Sequence, residues 1–362
     1  MYMRRSPFVF LALLLTAVAC ERSTPLSVDA DPLFKSDHGQ GRGQFVNVLS
    51  RNLYIGTDLG VVLQTPLERV PLAVWEAHQD VIDSDPPARM ARMADEIGGE
   101  RPDLVGLQEV YRIDENGVSQ FDFLELLMSA LRERGLRYEV ASIVTNVDLT
   151  LPAFDPLRQT FYAARMVDHD VILVRKGVPY TNARSGHFAA ALPVSLGGQT
   201  FDILRGWNSV DVRVHGRMLR FVNTHLEVAS VRPVNEAQGI ELLQVVSGSP
   251  HPVVLAGDLN SAANESAPQE AKTDTYGWVL DAGFEDVWTL TNPGEEGLTC
   301  CHAPDLRNTT STFDRRIDFV FLDPRMRAAE SALLVGDDPA DPTLSNQPPS
   351  DHAGVFGLLR LP

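Results

Sequence analysis

The residues of this chain that could do chemistry stand where apolar runs stop. In Val253-Val254-Leu255-Ala256-Gly257-Asp258-Leu259-Asn260, an apolar run bounded by Pro252 and Gly257 ends on a carboxylate and an amide. Apolar side chains at every position fit a strand buried on both faces, so Asp258 and Asn260 fall where that strand leaves its sheet. Gly-Asp-x-Asn alone is an ordinary polar turn. It has company, however. The run from Phe45 to Leu49 leads to Asn52, and Leu104 to Leu107 leads to Gln108-Glu109. Leu219, Phe221 and Asn223 alternate toward Thr224-His225-Leu226, while Arg316-Ile317-Asp318 opens the apolar run to Leu322. Ser350-Asp351-His352 immediately precedes a terminal run, Val355 to Leu359.

A carboxylate emerging from an apolar strand is costly to bury unless it is paired or bound to a cation, so Glu109 either caps a polar group or coordinates a metal. Oxygen ligands without a cysteine cluster favour Mg²⁺ or Mn²⁺ over a thiolate zinc site. An aspartate beside a histidine orients the imidazole and raises its basicity. Each of Asn52, Glu109, His225, Asp258, Asn260, Asp318, Asp351 and His352 has a bland reading as a turn former or a satisfied strand-end group. Gathered at strand termini, they have no bland reading in common.

The elements that must position them alternate between two periods. Met90, Met93, Ala94 and Ile97 recur at helical spacing, and Gly98-Gly99 closes that helix. Leu124, Leu127, Met128 and Leu131 supply a second helix ended near Gly135, and a third runs from about Glu236 to Val246. Val210, Val212 and Val214 form one arm of a hairpin that turns at His215-Gly216 and returns through Leu219 to Asn223. Residues 145 to 165, with Pro152 and Pro156, read as loop-rich before a strand at Val171 to Val174. Gly336 to Ser350 reads as a long surface loop that delivers Ser350-Asp351-His352. No internal repeat is visible.

The chain has 362 residues, 44% of them apolar, and a formal charge of −17. That length buries a sizeable core, and the acidic balance repels polyanions, which disfavours a stable nucleic-acid partner. Residues 1–19 form a targeting segment: Arg4-Arg5, an apolar core from Phe8 to Val18 too short to span a bilayer, and small residues before Cys20. Ala17-Val18-Ala19-Cys20 resembles a bacterial lipobox, which would leave Cys20 lipidated and the protein tethered to the cell envelope. Ala17 stands where that motif usually has Leu, and ordinary signal cleavage with a free thiol is the alternative. Residues 20–43 read as a flexible tether, and 44–362 as one domain, expected to act as a monomer without a transmembrane helix. The adjacent Cys300-Cys301 are either two small core thiols or a vicinal disulfide.

The ordered set Asn52, Gln108-Glu109, Asn223-Thr224-His225-Leu226, Gly257-Asp258-Leu259-Asn260, Arg316-Ile317-Asp318 and Ser350-Asp351-His352 resembles the endonuclease/exonuclease/phosphatase superfamily, which includes pancreatic-type deoxyribonucleases, apurinic endonucleases, inositol polyphosphate phosphatases and neutral sphingomyelinases. The resemblance covers residues 45 to 360. It implies a four-layer α/β/β/α sandwich of two mostly antiparallel sheets, with the site at one edge. It also implies a metal-dependent phosphoric ester hydrolase in which Glu109 is the principal Mg²⁺ (or Mn²⁺) ligand, with Asn52 and Asp351 close to the metal or its waters. Asp258 would align and deprotonate water, Asn260 would hold a phosphate oxygen, and His352, oriented by Asp318, would contact the scissile phosphate. His225 matches a second histidine of the deoxyribonuclease and sphingomyelinase members.

Export, an acidic surface and the paired histidines favour a phospholipid or a related small phosphodiester as substrate. Against this, no stretch reads as the exposed apolar hairpin with paired aromatics by which secreted sphingomyelinases engage membranes. Gly206-Trp207 is a candidate, but a lone Trp is more often core. An extracellular nuclease is the alternative, although Arg315-Arg316 and Arg325 to Arg327 are its only visible basic stretches. A third reading, an inactive surface-binding protein on the same scaffold, has no need of the whole set.

Overall fold

A computed structural model describes residues 45–362 apart from 197, 198, 327, 341, 342 and 344. The targeting segment, Cys20 and the tether lie outside the described residues. In chain order the strands are β1 (Phe45–Asn52), β2 (Leu104–Gln108), β3 (Arg112–Glu115), β4 (Val118–Asp122), β5 (Tyr138–Asp155), β6 (Thr160–Arg175), β7 (Tyr180–His187), β8 (Leu192–Leu196), β9 (Gln199–Ile203), β10 (Gly206–Val214), β11 (Arg217–His225), β12 (Val253–Asp258), β13 (Glu285–Asp286), β14 (Asp318–Leu322), β15 (Ala328–Val335) and β16 (Gly354–Arg360). The helices are α1 (Leu59–Gln64), α2 (Val70–Asp83), α3 (Pro86–Glu100), α4 (Phe123–Glu133), α5 (Arg232–Ser247), α6 (Thr275–Asp281) and α7 (Val287–Thr291). No helix among the described residues is long and apolar enough to cross a membrane.

The first sheet has eight strands in the order β15-β16-β1-β2-β6-β3-β4, with β5 paired to β6 beside that path; the second has six, in the order β13-β14-β12-β11-β10-β7. Only β1 with β2 and β11 with β12 are parallel neighbours among the described residues. Strand periodicity assigns the layers. On β12, Val254 and Ala256 face the other sheet, where they meet Val46, Val48 and Leu104. Val253 and Leu255 face outward and are covered by Leu242 and Val246 of α5 and Val279 of α6. On the far side, Leu49, Val105 and Leu107 are covered by Met90, Met93 and Ile97 of α3 and by Phe123 and Leu127 of α4. The result is the four-layer α/β/β/α sandwich.

Local signals explain most boundaries. Asp85 caps α3 by accepting from Ala88 N at 3.2 Å ahead of Pro86, and Asp122 caps α4 by accepting from Glu125 N at 3.0 Å. Helix α3 continues through Gly98-Gly99 and ends instead on Arg101, whose φ is 48°. His215 and Gly216 take φ of 47° and 80°, the paired left-handed turn that matches the twist of β10 and β11.

The segment from Thr145 to Arg165 departs from expectation. It is no loop but the outer part of a long hairpin, β5 with β6, in which Pro152 sits opposite Ala163. Strand β5 is an edge strand there, where proline costs no ladder bond. Register shifts at Val140/Ser142 and Thr145/Val147 break the alternation from which the strand would have been read. The far end of this hairpin pairs Phe154 with Phe161, ring centroids 4.9 Å apart, and leaves Phe161 67% and Leu157 83% exposed. An exposed apolar hairpin with paired aromatics therefore exists, contrary to the sequence reading. Trp207, by contrast, packs against the core beneath α5.

Between the sheets, just below the edge where β2 and β11 end, Asn223 fills the space left by the missing side chain of Gly106. It accepts from Gln108 Nε2 at 2.6 Å and donates to the Leu107 carbonyl at 3.1 Å. A Cβ on Gly106 would stand 2.5 Å from Asn223 Oδ1. Gly106→Ala is therefore expected to break this buried seam and to destabilise the protein by about 1–3 kcal/mol, read as a lower urea midpoint with an unchanged m-value.

Candidate active site

The two parallel pairs bring their carboxyl ends to one edge of the sandwich. Asn52 lies beside Gln108 in the first sheet, and His225 lies beside Asp258 in the second. Strand β14 runs the opposite way, so its first residue, Asp318, pairs with the last of β12, Asp258. Ser350-Asp351-His352 enters from the loop before β16; Ser350 Oγ donates to the Asn52 carbonyl at 3.0 Å and accepts from His352 N at 3.1 Å. Tyr54, Glu109 and Asn260 turn out of their strands with φ of 57°, 55° and 47°. Side chains rarely adopt that region, and such strain persists only where the surroundings enforce it. At Gly257 no side chain is tolerated: φ is 149° and a Cβ would fall 2.1 Å from the Thr224 carbonyl oxygen.

Glu109, His225, Asp258, Asn260, Asp351 and His352 line a cavity of about 430 Å³. Asn52 and Asp318 stand behind its wall. Asn52 Nδ2 donates to Glu109 Oε1 and to Asp258 Oδ2, both at 3.2 Å, so one amide ties a carboxylate of each sheet. Its Oδ1 accepts from Tyr54 N at 2.9 Å. Asp318 Oδ2 accepts from His352 Nδ1 at 2.8 Å, which fixes the ring with Nε2 toward the cavity, 3.9 Å from Asp351 Oδ1. Asp258 Oδ1 accepts from Asn260 N at 2.8 Å, and its Oδ2 lies 3.5 Å from His225 Nε2.

Burial and mutual repulsion set the charges. Asp258 is pushed up to about 7 by burial and by the neighbouring Asp318 charge. Asp351 is likewise pushed up to about 7 by burial, with Glu109 adding to the effect. Burial works against the His352 imidazolium, yet Asp318, Asp351 and Asp258 together hold its pKa well above the usual histidine range. His225 behaves oppositely: burial, Arg205 and His352 hold it well below that range, so its ring is neutral. Arg205 Nη1 lies 3.1 Å from His225 Nδ1. A guanidinium cannot accept, so Nδ1 does, and the ring proton sits on Nε2 toward Asp258 Oδ2; Asn260 Nδ2, also a donor, lies 3.2 Å from the same nitrogen and donates instead to the Leu226 carbonyl at 3.1 Å.

All the residues expected from the sequence thus converge. Others escaped it. Arg205 is held by Glu227 at 3.3 Å, a pair whose only sequence trace is an arginine before Gly206-Trp207 and a glutamate two residues after His225. Two buried arginines support the backbone. Arg51 bonds the His352 carbonyl and pairs with Glu96 at 3.0 Å, and Arg89 bonds the carbonyls of Leu53, Tyr54 and Pro349. Cys300 and Cys301 are bonded to each other, and Cys300 bridges by its backbone to Arg315 and His352. The imidazole beside them is His352, whose ligand atom lies within 4.8 Å of both sulfurs, and not the adjacent His302.

The sequence model of the Endonuclease/Exonuclease/phosphatase family matches residues 82–352. The chain belongs to that family. Members are metal-dependent phosphoesterases and nucleases, so this chain is a phosphoric ester hydrolase by family. No curated protein matches it. Among solved structures, a family protein from Beutenbergia cavernae is 22% identical with a TM-score of 0.53, over 88% of this chain and 72% of that one. One from Leptotrichia buccalis is 12% identical, TM-score 0.52, over 86% and 98%. TDP2 from C. elegans is 17% identical, TM-score 0.50, over 87% and 75%. At these identities the likeness is one of fold.

Glu227 is buried and Arg205 largely so, so removing one strands the charge of the other. Arg205→Met is expected to cost about 3–5 kcal/mol, and the double variant with Glu227→Gln is expected to recover more than half of that. Denaturant melts of the single and double variants check it; additive losses would contradict the pairing.

Proposed function

We propose that this chain is an exported, Mg²⁺- or Mn²⁺-dependent phosphodiesterase, tethered to the cell envelope through lipid on Cys20. The observation that carries the reading is the gathering of Glu109, Asp258 and Asp351 around one cavity, with Asp318 behind its wall, faced by the His352 imidazolium and by a neutral His225. Family members use divalent metal ions, and the donors here fit one. They are carboxylate oxygens in excess over the cations beside them, and Asp318 Oδ1 is buried without a partner. Glu109 and Asp351 would hold the ion, with Asn52 orienting Glu109. A bound Mg²⁺ or Mn²⁺ supplies polarisation of a phosphate oxygen and stabilisation of charge on the leaving oxygen.

The remaining work falls to the chain's own groups. Asp258, with a pKa of about 7, is suited to align a water and take its proton near neutral pH. Asn260 and His225 Nε2–H are placed to hold a non-bridging phosphate oxygen. His352, oriented by Asp318, donates from Nε2 to the phosphate as charge builds up. These donors are fixed before substrate arrives, which is where most of the rate acceleration in such sites originates.

The nuclease reading is weaker. Arg315, Arg316 and Arg325 each carry a carboxylate partner, namely Asp314, Asp286 and Asp323. Among the described residues, the basic stretches read from the sequence are therefore neutralised where they stand. The inactive-scaffold reading leaves the converged set without a purpose.

A hydrolysis panel of DNA, RNA, sphingomyelin, phosphatidylcholine, inositol phosphates and a generic phosphodiester, with Mg²⁺ and with chelator, tests the reading. Asp258→Asn is expected to lower turnover by about 10²–10⁴-fold with the fold intact by circular dichroism. Near-normal activity in that variant, or activity indifferent to complete chelation, would sink the assignment.

The cation must also displace the proton from its ligand Asp351, and the Asp258 base must lose its own before it can act. Both acids are raised, so they hold protons below about pH 7 and release them above it. Mg²⁺ affinity is therefore expected to rise about fivefold for the Asp351 proton between pH 6 and pH 7 and to level off by pH 8, as read by calorimetric titration. Affinity that is flat or falls with pH would contradict this.

A further inference from the structure

Beside the catalytic cavity lies a second cavity of about 380 Å³, lined mainly by apolar side chains. Val62 of α1 and Val74 of α2 form one wall, Leu149, Leu151 and Met166 of the long hairpin face them, and Phe201 of β9 closes a side. The two cavities share the stretch from Thr57 to Gly60, together with Ile55, Tyr111, Arg205 and Val228, as common walls. Folded interiors are packed almost as densely as crystals, so an apolar space of this size, within the ~300–1,000 Å³ of ligand sites, has an occupant to fit.

Its lining limits what that occupant is. Arg205, Glu227 and Asp168 lie together at the side toward the catalytic cavity, where Arg205 is paired with Glu227 and also faces the Asp168 charge. Arg165 is taken up by Asp114 and Asp148, and Thr57 by Asp80. His78 bonds Tyr162 through Nδ1 and keeps only Nε2 without a partner. Among the described residues, His78 Nε2 and Asp168 Oδ1 are the lining atoms buried without a partner, and Asp58 stands at the wall shared with the catalytic cavity. So few groups cannot match a nucleobase or an inositol ring, each of which would bury several unsatisfied donors and acceptors. Hydrocarbon has none to lose. The hairpin that forms the wall also runs outward to exposed Leu157 and Phe161, and α1 exposes Val61, so apolar surface flanks the cavity on the solvent side.

We propose that this cavity is the subsite for an aliphatic arm of the substrate. The scissile phosphodiester then joins a polar group to an acyl- or alkyl-bearing group, as in a phospholipid. The proposal rests on the phosphodiesterase reading above and narrows its substrate class. Asp258, Asn260 and the two histidines act on the phosphate; the cavity selects the ester.

A homologous series of alkyl 4-nitrophenyl phosphodiesters, from ethyl to decyl, tests it on the full chain with Mg²⁺ and below the micelle concentration. Each buried methylene is worth up to about fourfold, and kcat/KM is expected to climb by about a hundredfold or more along the series before levelling off. Ala77→Phe and Ala164→Phe, which fill the cavity from opposite walls, should erase that gain for the decyl ester and leave the ethyl ester within about twofold. A flat chain-length profile with the ethyl ester hydrolysed overturns the subsite and leaves the phosphodiesterase reading standing; so does equal loss on both esters in either variant. If no ester is hydrolysed, that reading falls, and calorimetric binding of monomeric decylphosphocholine decides the cavity. Binding by the wild type that Ala77→Phe abolishes supports it; no binding by the wild type overturns it.

Discussion

The site depends on a polar seam laid across an otherwise apolar gap between two sheets. Hydrophobic contact is non-directional and would let two such sheets slide over each other. Asn223 cannot slide: it is bonded to Gln108 and to the Leu107 carbonyl of the opposite sheet, in a space that only glycine at position 106 leaves open. One step farther out, the Asn52 amide ties Glu109 of the first sheet to Asp258 of the second. Buried hydrogen bonds of this kind contribute little net energy each, but their loss leaves desolvated groups unpaired. They therefore act as a register lock more than as a source of stability.

With the edges locked, the electrostatics follow. Asp258 and Asp318 are almost wholly buried within an acidic cluster, which ordinary folding would avoid. The protein answers with protons and with partners. Two carboxyls are raised to about neutral, one histidine is held cationic by three aspartates, and the other is kept neutral by burial and by an arginine. Opposite protonation states in two imidazoles that both approach Asp258 give the cavity one charged donor and one neutral donor. Environment alone separates their roles, since the side chains are identical.

The loops are held by arginines rather than by secondary structure. Chain leaving a sheet has carbonyls with no ladder partner, and burying them unsatisfied is costly. Arg89 gathers the carbonyls of Leu53, Tyr54 and Pro349, and Arg51 takes that of His352, so the exit from β1 and the approach to β16 are fastened to one another. A flexible loop would place Asp351 and His352 imprecisely. This one ends on fixed points.

Much of this was legible in the chain itself. Apolar runs that stop on Asn52, Glu109, His225 and Asp258, or start at or just after Asp318 and Asp351-His352, mark the strand ends, because period and punctuation are local properties. The helical faces of α3 and α4 and the His215-Gly216 turn were legible for the same reason. The long hairpin was not: register shifts at Val140/Ser142 and Thr145/Val147 reverse the facing of later residues, so alternation is lost although the strands continue. Nor were Arg205 beside His225, Cys300 beside His352, or the apolar cavity between α1–α2 and that hairpin. These are contacts between segments far apart in sequence, decided by how the layers stack, and no local pattern carries them. The sequence by itself determined the class of bond that the site is built to act on. Tertiary packing decided which histidine is charged, what holds the loops, and where an apolar cavity lies beside the site.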